Sequence, residues 1–199
     1  MRATMKPNAG FTLIELIITV AIVAILAGVV APGMTSFIRN NRMASQINTL
    51  IGTVHFARAE AANRRSIVTL CASTNAANCN TSNWENGWII FTDNNNSGNA
   101  VIDGADTLIL AQEALEGGNT LRESGFNFAG SGRLQFNGVG FLYATSPASG
   151  TLTLCDERGV SEAKALIVNI AGVSRLATDE SGNGVVNNHL GSTGNVTCP

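Results

Sequence analysis

The sequence is poor in the residue patterns that build reaction centres. It contains no G-x-S-x-G elbow, Walker loop, complete dinucleotide fingerprint or H-E-x-x-H helix. Isolated serines, histidines and aspartates do not make a catalytic site, so the reading is non-enzymatic, with no cofactor. Excess positive charge is also missing. There are 12 lysines and arginines against 14 aspartates and glutamates, for a formal net charge of −2. Any nucleic-acid binding has to use a local patch against an unfavourable mean field. Aromatic residues form only 6% of the chain, too few for a visible series of stacking platforms. No C-x-x-C pair or nearby histidine completes a tetrahedral set, which argues against a zinc centre.

What the chain does have is one concentrated apolar stretch, "GFTLIELIITVAIVAILAGVVAPG", at residues 10–33. Within it, Leu16 to Ala31 is broken only by Thr19 and Gly28 and would be ~24 Å long as a helix, slightly short of a bilayer core. Phe11 to Ile38 would reach ~42 Å, enough to span with tilt, although Pro32 and Gly33 weaken the helix there. Glu15 lies near its start. A charged carboxylate at membrane depth costs roughly 2.5–3.5 kcal/mol or more unless it is paired or protonated. It therefore needs a cation.

The preceding "MRATMKPNAG" carries Arg2 and Lys6, like the basic start of a targeting signal. Cleavage after the apolar run, at "VVA", would leave Pro32 first and a carboxylate inside the signal. Cleavage after Gly10 instead makes Phe11 the first residue. Its amine then supplies the positive charge, one helical turn from Glu15.

"GFTLIE" followed by an apolar helix resembles the class III signal of type IV prepilins and type II secretion pseudopilins. The resemblance implies that a prepilin peptidase cuts after Gly10 and N-methylates Phe11. It implies that Glu15 neutralises the amine of a neighbouring subunit during assembly, and that Pro32 sits where many pilins bend the helix. The implied location is the bacterial inner membrane, single-pass with the head in the periplasm, and then a pilus or pseudopilus. The implied partners are other pilins or pseudopilins.

Beyond Pro32, Met43, Ile47, Leu50, Val54, Ala57 and Ala61 recur at alternating spacings of four and three, a stripe on one helical face. Arg39, Arg42, Arg58, Glu60, Arg64 and Arg65 are read as its solvated flank, and His55, beside the stripe, as a packed histidine. The helix is expected to run from Phe11 to about Arg64. After it come short β-rich runs, "SIVTLCA", "GWIIFTD", "TLILAQEA", "RLQFNGVG", "GTLTLCD", "ALIVNIAG" and "SRLATD", separated by Gly, Asn, Asp and Ser clusters. No recurring helical spacers suggest a parallel sheet. The expected fold is α+β: a long N-terminal helix, membrane-spanning in its first half, packed on an antiparallel β-sheet or β-sandwich head. The expected divisions are a leader at 1–10, a membrane or filament-core helix at 11–38, a head-packing helix at 39–65 and a β-rich head at 66–199.

Four cysteines, Cys71, Cys79, Cys155 and Cys198, all lie beyond the apolar run. An even count in an exported chain favours disulfides, with three pairings open. The expected pairs are Cys71–Cys79, closing "CASTNAANC", and Cys155–Cys198, pinning a Gly/Asn-rich tail. "DNNNSGNAVIDGAD" offers Asp93, Asn95, Ser97, Asp103 and Asp106 around Gly98. It departs from the EF-hand spacing and lacks its terminal Glu, so a plain hairpin loop is expected. Trp84 and Trp88 are expected to anchor a strand turn.

"FARAEAANRRSIVTLCAS", "WENGWIIFTDNNNSG", "GTLTLCDERG" and "ALIVNIAGVSRLATD", in that order, resemble the FimT/FimU/GspH group of minor pilins and pseudopilins. The pattern is weakest between Asn94 and Gly130, where loops are expected to dominate. The resemblance implies a minor component that primes or caps a filament. Some FimT-like members bind DNA during natural transformation through a glycine-arginine-any-arginine motif. Here the corresponding residues are Gly172, Val173, Ser174 and Arg175, and only the glycine and the last arginine match. Arg175 is accordingly expected to be an exposed strand residue. DNA uptake and type II secretion stand as the alternative functions.

Overall fold

The computed structural model describes residues 10–94, 101–104, 106–126, 132–143 and 148–199, excepting the side chains of 29–32. It divides into two compact units, Met1–Asn41 and Arg42–Pro199, with one helix, α1 (Leu13–Arg64), contributing to both.

In the first unit, Thr12 starts the helix. Its Oγ accepts a hydrogen bond from the Glu15 backbone N–H at 3.3 Å, which satisfies one of the amides that a helix start leaves unpaired. Thr12 and Glu15 have the spacing of a capping box, but among the described residues the Glu15 carboxylate forms no ion pair or hydrogen bond of its own. From Leu13 to Leu26 the large apolar side chains are all more than half exposed.

In the second unit, the stripe Met43, Ile47, Leu50, Val54, Ala57 and Ala61 is buried. The spacing of four and three residues keeps these side chains on one line, and both sheets close over it. The first sheet has the order β3-β2-β1-β5, with β1 Ile67–Ala72, β2 Trp88–Asp93, β3 Thr107–Gln112 and β5 Arg133–Phe136. The second has the order β4-β6-β7-β8, with β4 Thr120–Ser124, β6 Gly150–Cys155, β7 Lys164–Val168 and β8 Ser174–Leu176. All neighbouring strands are antiparallel.

Strand alternation sorts the apolar residues into layers. Val68, Leu70, Ile90, Leu134 and Phe136 from the first sheet meet Leu121, Leu152, Leu154, Leu166 and Val168 from the second in one core with the helix stripe. Each fully buried Leu, Val or Phe contributes roughly 1.5–3 kcal/mol of transfer free energy. On the opposite face of the first sheet, Cys71, Ile89 and Phe91 pack with Cys79 and Ile102. On that of the second, Cys155 and Ala165 pack with Val185, Val196 and Cys198, so the C-terminal tail covers this face. Disulfides join Cys71 to Cys79 and Cys155 to Cys198.

Two expectations are corrected, and one strand is added. Between Asn94 and Gly130 the described residues hold the expected β3 and also β4, which pairs with β6 and was not among the expected strands. In "TLRES" only Leu121 is buried, so the strand owes its place to the ladder with β6 and carries little apolar signal. His55 is exposed, not packed, because it lies just off the stripe; its ring Nε2 is 3.3 Å from the Ser174 hydroxyl. Arg58 is not a solvated flank residue either. Its Nε donates to the Gly140 carbonyl at 3.0 Å, fastening the helix to a loop 82 residues away.

Candidate functional site

The N-terminal segment presents chemistry that a soluble fold has no use for. Phe11 is 84% exposed, Gly10 is exposed beside it, and the Glu15 carboxylate stands in the first turn of α1 among exposed apolar neighbours. A carboxylate there complements the helix dipole, but the cap itself is made by Thr12. Among the described residues no single helix is long and apolar enough to cross a membrane. Leu13–Gly28 and Gly33–Arg64 qualify together as a broken pair, by length and composition.

On the head, the residues around the degenerate glycine-arginine motif are built by two matching loops. In residues 137–141 and 169–173, an asparagine side chain accepts the backbone N–H of the fifth residue: Phe141 to Asn137 at 3.1 Å and Val173 to Asn169 at 3.0 Å. The fourth residue is a glycine whose N–H bonds the asparagine carbonyl, Gly140 to Asn137 and Gly172 to Asn169, each at 2.8 Å. Both glycines have positive φ, +86° and +71°. A β-carbon on Gly172 would lie 2.1 Å from the Gly140 carbonyl oxygen, so the loops touch where only glycine fits. The Leu142 N–H also bonds the Ile170 carbonyl at 3.0 Å. Arg58 lies against both glycines.

Arg175 is exposed in β8, and its Nη2 lies 3.2 Å from a Glu180 carboxylate oxygen. Asp179, next to Glu180, is held below the usual carboxylate range, mainly by the Gly184 N–H, with further bonds from Asn183, Gly182 and Ser181. The Arg175 charge is thus already paired and adjoins a firmly ionised carboxylate. No second cation completes the motif, since Val173 stands in its place.

The acidic loop after Asp93 is closed by the Asp106 carboxylate. Asp106 uses one carboxylate oxygen to accept the Asn94 N–H at 2.8 Å and the other to accept the Asp103 N–H at 3.2 Å. Asn95, Ser97 and Gly98 lie outside the described residues. Among the described residues no group of three or more His, Cys, Asp or Glu is placed to hold a metal ion. Trp84 and Trp88 are fully buried, Trp84 in a short turn just before β2, so their rings are core and not stacking surfaces.

Burial shifts the pKa of three groups among the described residues; Arg133 on β5 is lowered by desolvation, opposed by the charge of Asp93. Glu123 on β4 is raised above the usual carboxylate range by desolvation, opposed by the Gly132 N–H it accepts. His189, in the tail, is lowered by desolvation; its ring lies against Gly125 and its Nδ1 is 3.1 Å from the Thr151 hydroxyl.

Residues 46–172 match the family described as type II transport protein GspH. The chain belongs to this family. In this GspH-family protein, residues 5–31 also match the prokaryotic N-terminal methylation motif, which covers Gly10, Phe11 and Glu15. Among solved structures, it is similar to the type IV minor pilin FimU of Pseudomonas aeruginosa. One crystal form is 20% identical, covering 71% of this chain and 92% of that one at a TM-score of 0.52. A second form gives 18% identity, coverage of 68% and 92%, and a TM-score of 0.47. No curated protein matches. The GspH-family protein is a minor pilin or pseudopilin with a pilin-like α+β fold. Such families are structural, assemble with other pilins and are processed by prepilin peptidase, and the methylation motif on an apolar helix marks a membrane-anchored chain.

Sequence reasoning missed the paired loops and Arg58. The repeated Asn-x-x-Gly followed by an apolar residue, in "NGVGF" and "NIAGV", was the available signal.

Proposed function

We propose that the chain is cut between Gly10 and Phe11, methylated on the Phe11 amine, and held as a single pass in the bacterial inner membrane with its head in the periplasm. It then joins a pilus-like filament as a minor subunit. It acts by assembly, without catalysis. The observation that carries this is an exposed apolar helix whose first turn holds Glu15, a carboxylate with no partner among the described residues. In lipid such a group is costly, and a neighbouring subunit's N-terminal amine relieves the cost. Ordered helix packing follows from that relief.

Mass spectrometry of protein recovered from membranes tests the maturation step. A chain beginning at methylated Phe11 is expected, and one beginning at Pro32 would defeat the proposal. DNA uptake has no observation in its favour, since Arg175 is paired with Glu180 and Val173 replaces the motif's other arginine.

A further inference from the structure

Three Asn-Gly pairs occur in the chain, Asn86–Gly87, Asn137–Gly138 and Asn183–Gly184. In such a pair the glycine nitrogen can close on the asparagine side-chain carbonyl, because no β-carbon shields the nitrogen. The fold treats the three differently. Gly87 is buried at φ +112°, its N–H bonds the Trp84 carbonyl at 3.1 Å, and a β-carbon there would lie 2.6 Å from the Gln112 carbonyl oxygen. Gly138 is pressed against the Arg65 backbone, which would lie 2.7 Å from a β-carbon at that position. Neither nitrogen donates to a carboxylate among the described residues.

Asn183 is set up otherwise. Residues 181–184 are all exposed, and a β-carbon on Gly182 or Gly184 would meet nothing within 4 Å, so the backbone has room to move. The Gly184 N–H donates to the Asp179 carboxylate at 2.7 Å, and the Asn183 Oδ1 accepts the Val185 N–H at 3.0 Å. Asp179 is held below the usual carboxylate range, chiefly by that Gly184 bond, and is ionised at neutral pH. A proton acceptor thus sits on the attacking nitrogen, and a donor sits on the carbonyl oxygen that gains charge.

We propose that Asn183 is a self-modification site, converted to aspartate or isoaspartate through a cyclic imide with Asp179 and the Val185 N–H as its catalytic groups. The Gly184 nitrogen forms a bond to Asn183 Cγ and passes its proton to Asp179, while the carbonyl electron pair moves to Oδ1 under the Val185 N–H. Collapse of that oxyanion breaks the Cγ–Nδ2 bond, and Asp179 returns the proton to the leaving ammonia. Solvent water then opens the imide at either carbonyl. The net change is water in and ammonia out, with one new negative charge beside Asp179. Opening to isoaspartate also lengthens the main chain by one carbon just ahead of Val185 and Val186, which pack on the second sheet. The tail therefore loosens as the protein ages.

The test stores the full-length protein in detergent at neutral pH and maps its peptides over time for ammonia loss, the acidic product and isoaspartate. Folding should leave Asn183 reacting at least as fast as in the reduced, denatured chain, while slowing Asn86 and Asn137 by about tenfold or more, because their loops must open first. Asp179→Asn should slow Asn183 by about tenfold or more, since a positioned proton acceptor commonly contributes at least that much. An intact Cys155–Cys198 bridge in non-reducing maps confirms that the tail of this variant is in place. A slower reaction at Asn183 in the folded than in the denatured chain would overturn the proposal, as would equal rates at the three pairs or an unchanged or faster rate in Asp179→Asn.

Discussion

Thr12 and Glu15 share the first turn of α1, and substitution separates their roles. Thr12→Ala removes the hydroxyl that accepts the Glu15 N–H and should cost the helix start about 1 kcal/mol, read as lower helicity near residue 13. Glu15→Ala leaves that bond in place, so helix content and head stability should be unchanged while incorporation into filaments falls. Wild-type incorporation of Glu15→Ala in sheared filament fractions would sink the proposed pairing. Gly172 lies in the left-handed region against the Gly140 carbonyl, so Gly172→Ala should destabilise by more than ~1 kcal/mol in thermal melts. His189 supplies a pH dependence. Burial holds its folded value below the ordinary one, so the unfolded chain binds the proton first as pH falls. Stability is therefore full above the ordinary histidine value and declines as pH drops from there towards the folded value. Melting temperatures measured through that range should fall for wild type and fall less for His189→Asn.

At the scale of elements, the helix stripe was legible because six apolar residues kept a helical period and nothing polar interrupted it. The runs that became β1, β2 and β6 were legible because both faces of those strands are buried. β4 was not, since Arg122 on one face and Glu123 on the other bond Glu85 and the Gly132 N–H, partners that only the folded chain brings near. Arg58 was misread for the same reason: its partner lies 82 residues away, and no local pattern records it. His55 was judged by its neighbours on the helix, and the hydroxyl it meets belongs to β8. The two disulfides act on different lengths of chain, 8 and 43 residues apart. On the chain-entropy argument, opening Cys71–Cys79 by paired serine substitution should cost about 2.5 kcal/mol and opening Cys155–Cys198 about 4. Denaturant titration of the two double variants would check the order, and a reversed order would show that the tail contributes little to the sheet it covers.

For the whole molecule, the head has one core shared by α1 and both sheets, whereas the exposed apolar length from Leu13 to Leu26 has no cover among the described residues. That contrast bears on what can be tested in the absence of a membrane: the apolar length should drive aggregation or detergent binding, and the head should not. The missing motif arginine gives a matching test of partner choice. Val173→Arg adds one phosphate contact beside Arg175, so in mobility shifts across a salt series it should strengthen DNA binding and steepen the salt slope by up to about one unit. Tight, salt-resistant binding by the unmodified chain, abolished by Arg175→Ala, would instead establish it as a DNA receptor.

The buried stripe also has a mechanical meaning. Met43, Ile47, Leu50, Val54, Ala57 and Ala61 are strung along the axis of one helix and gripped by two sheets, with Arg58 tied to the Gly140 loop beside them. Tension applied along that axis loads every one of these contacts at once, in shear, and does not peel the strands apart one by one. The head is thereby anchored to its helix as a bolt is held by its whole thread, and should resist a pull along α1 far better than a pull that separates β3 from β2.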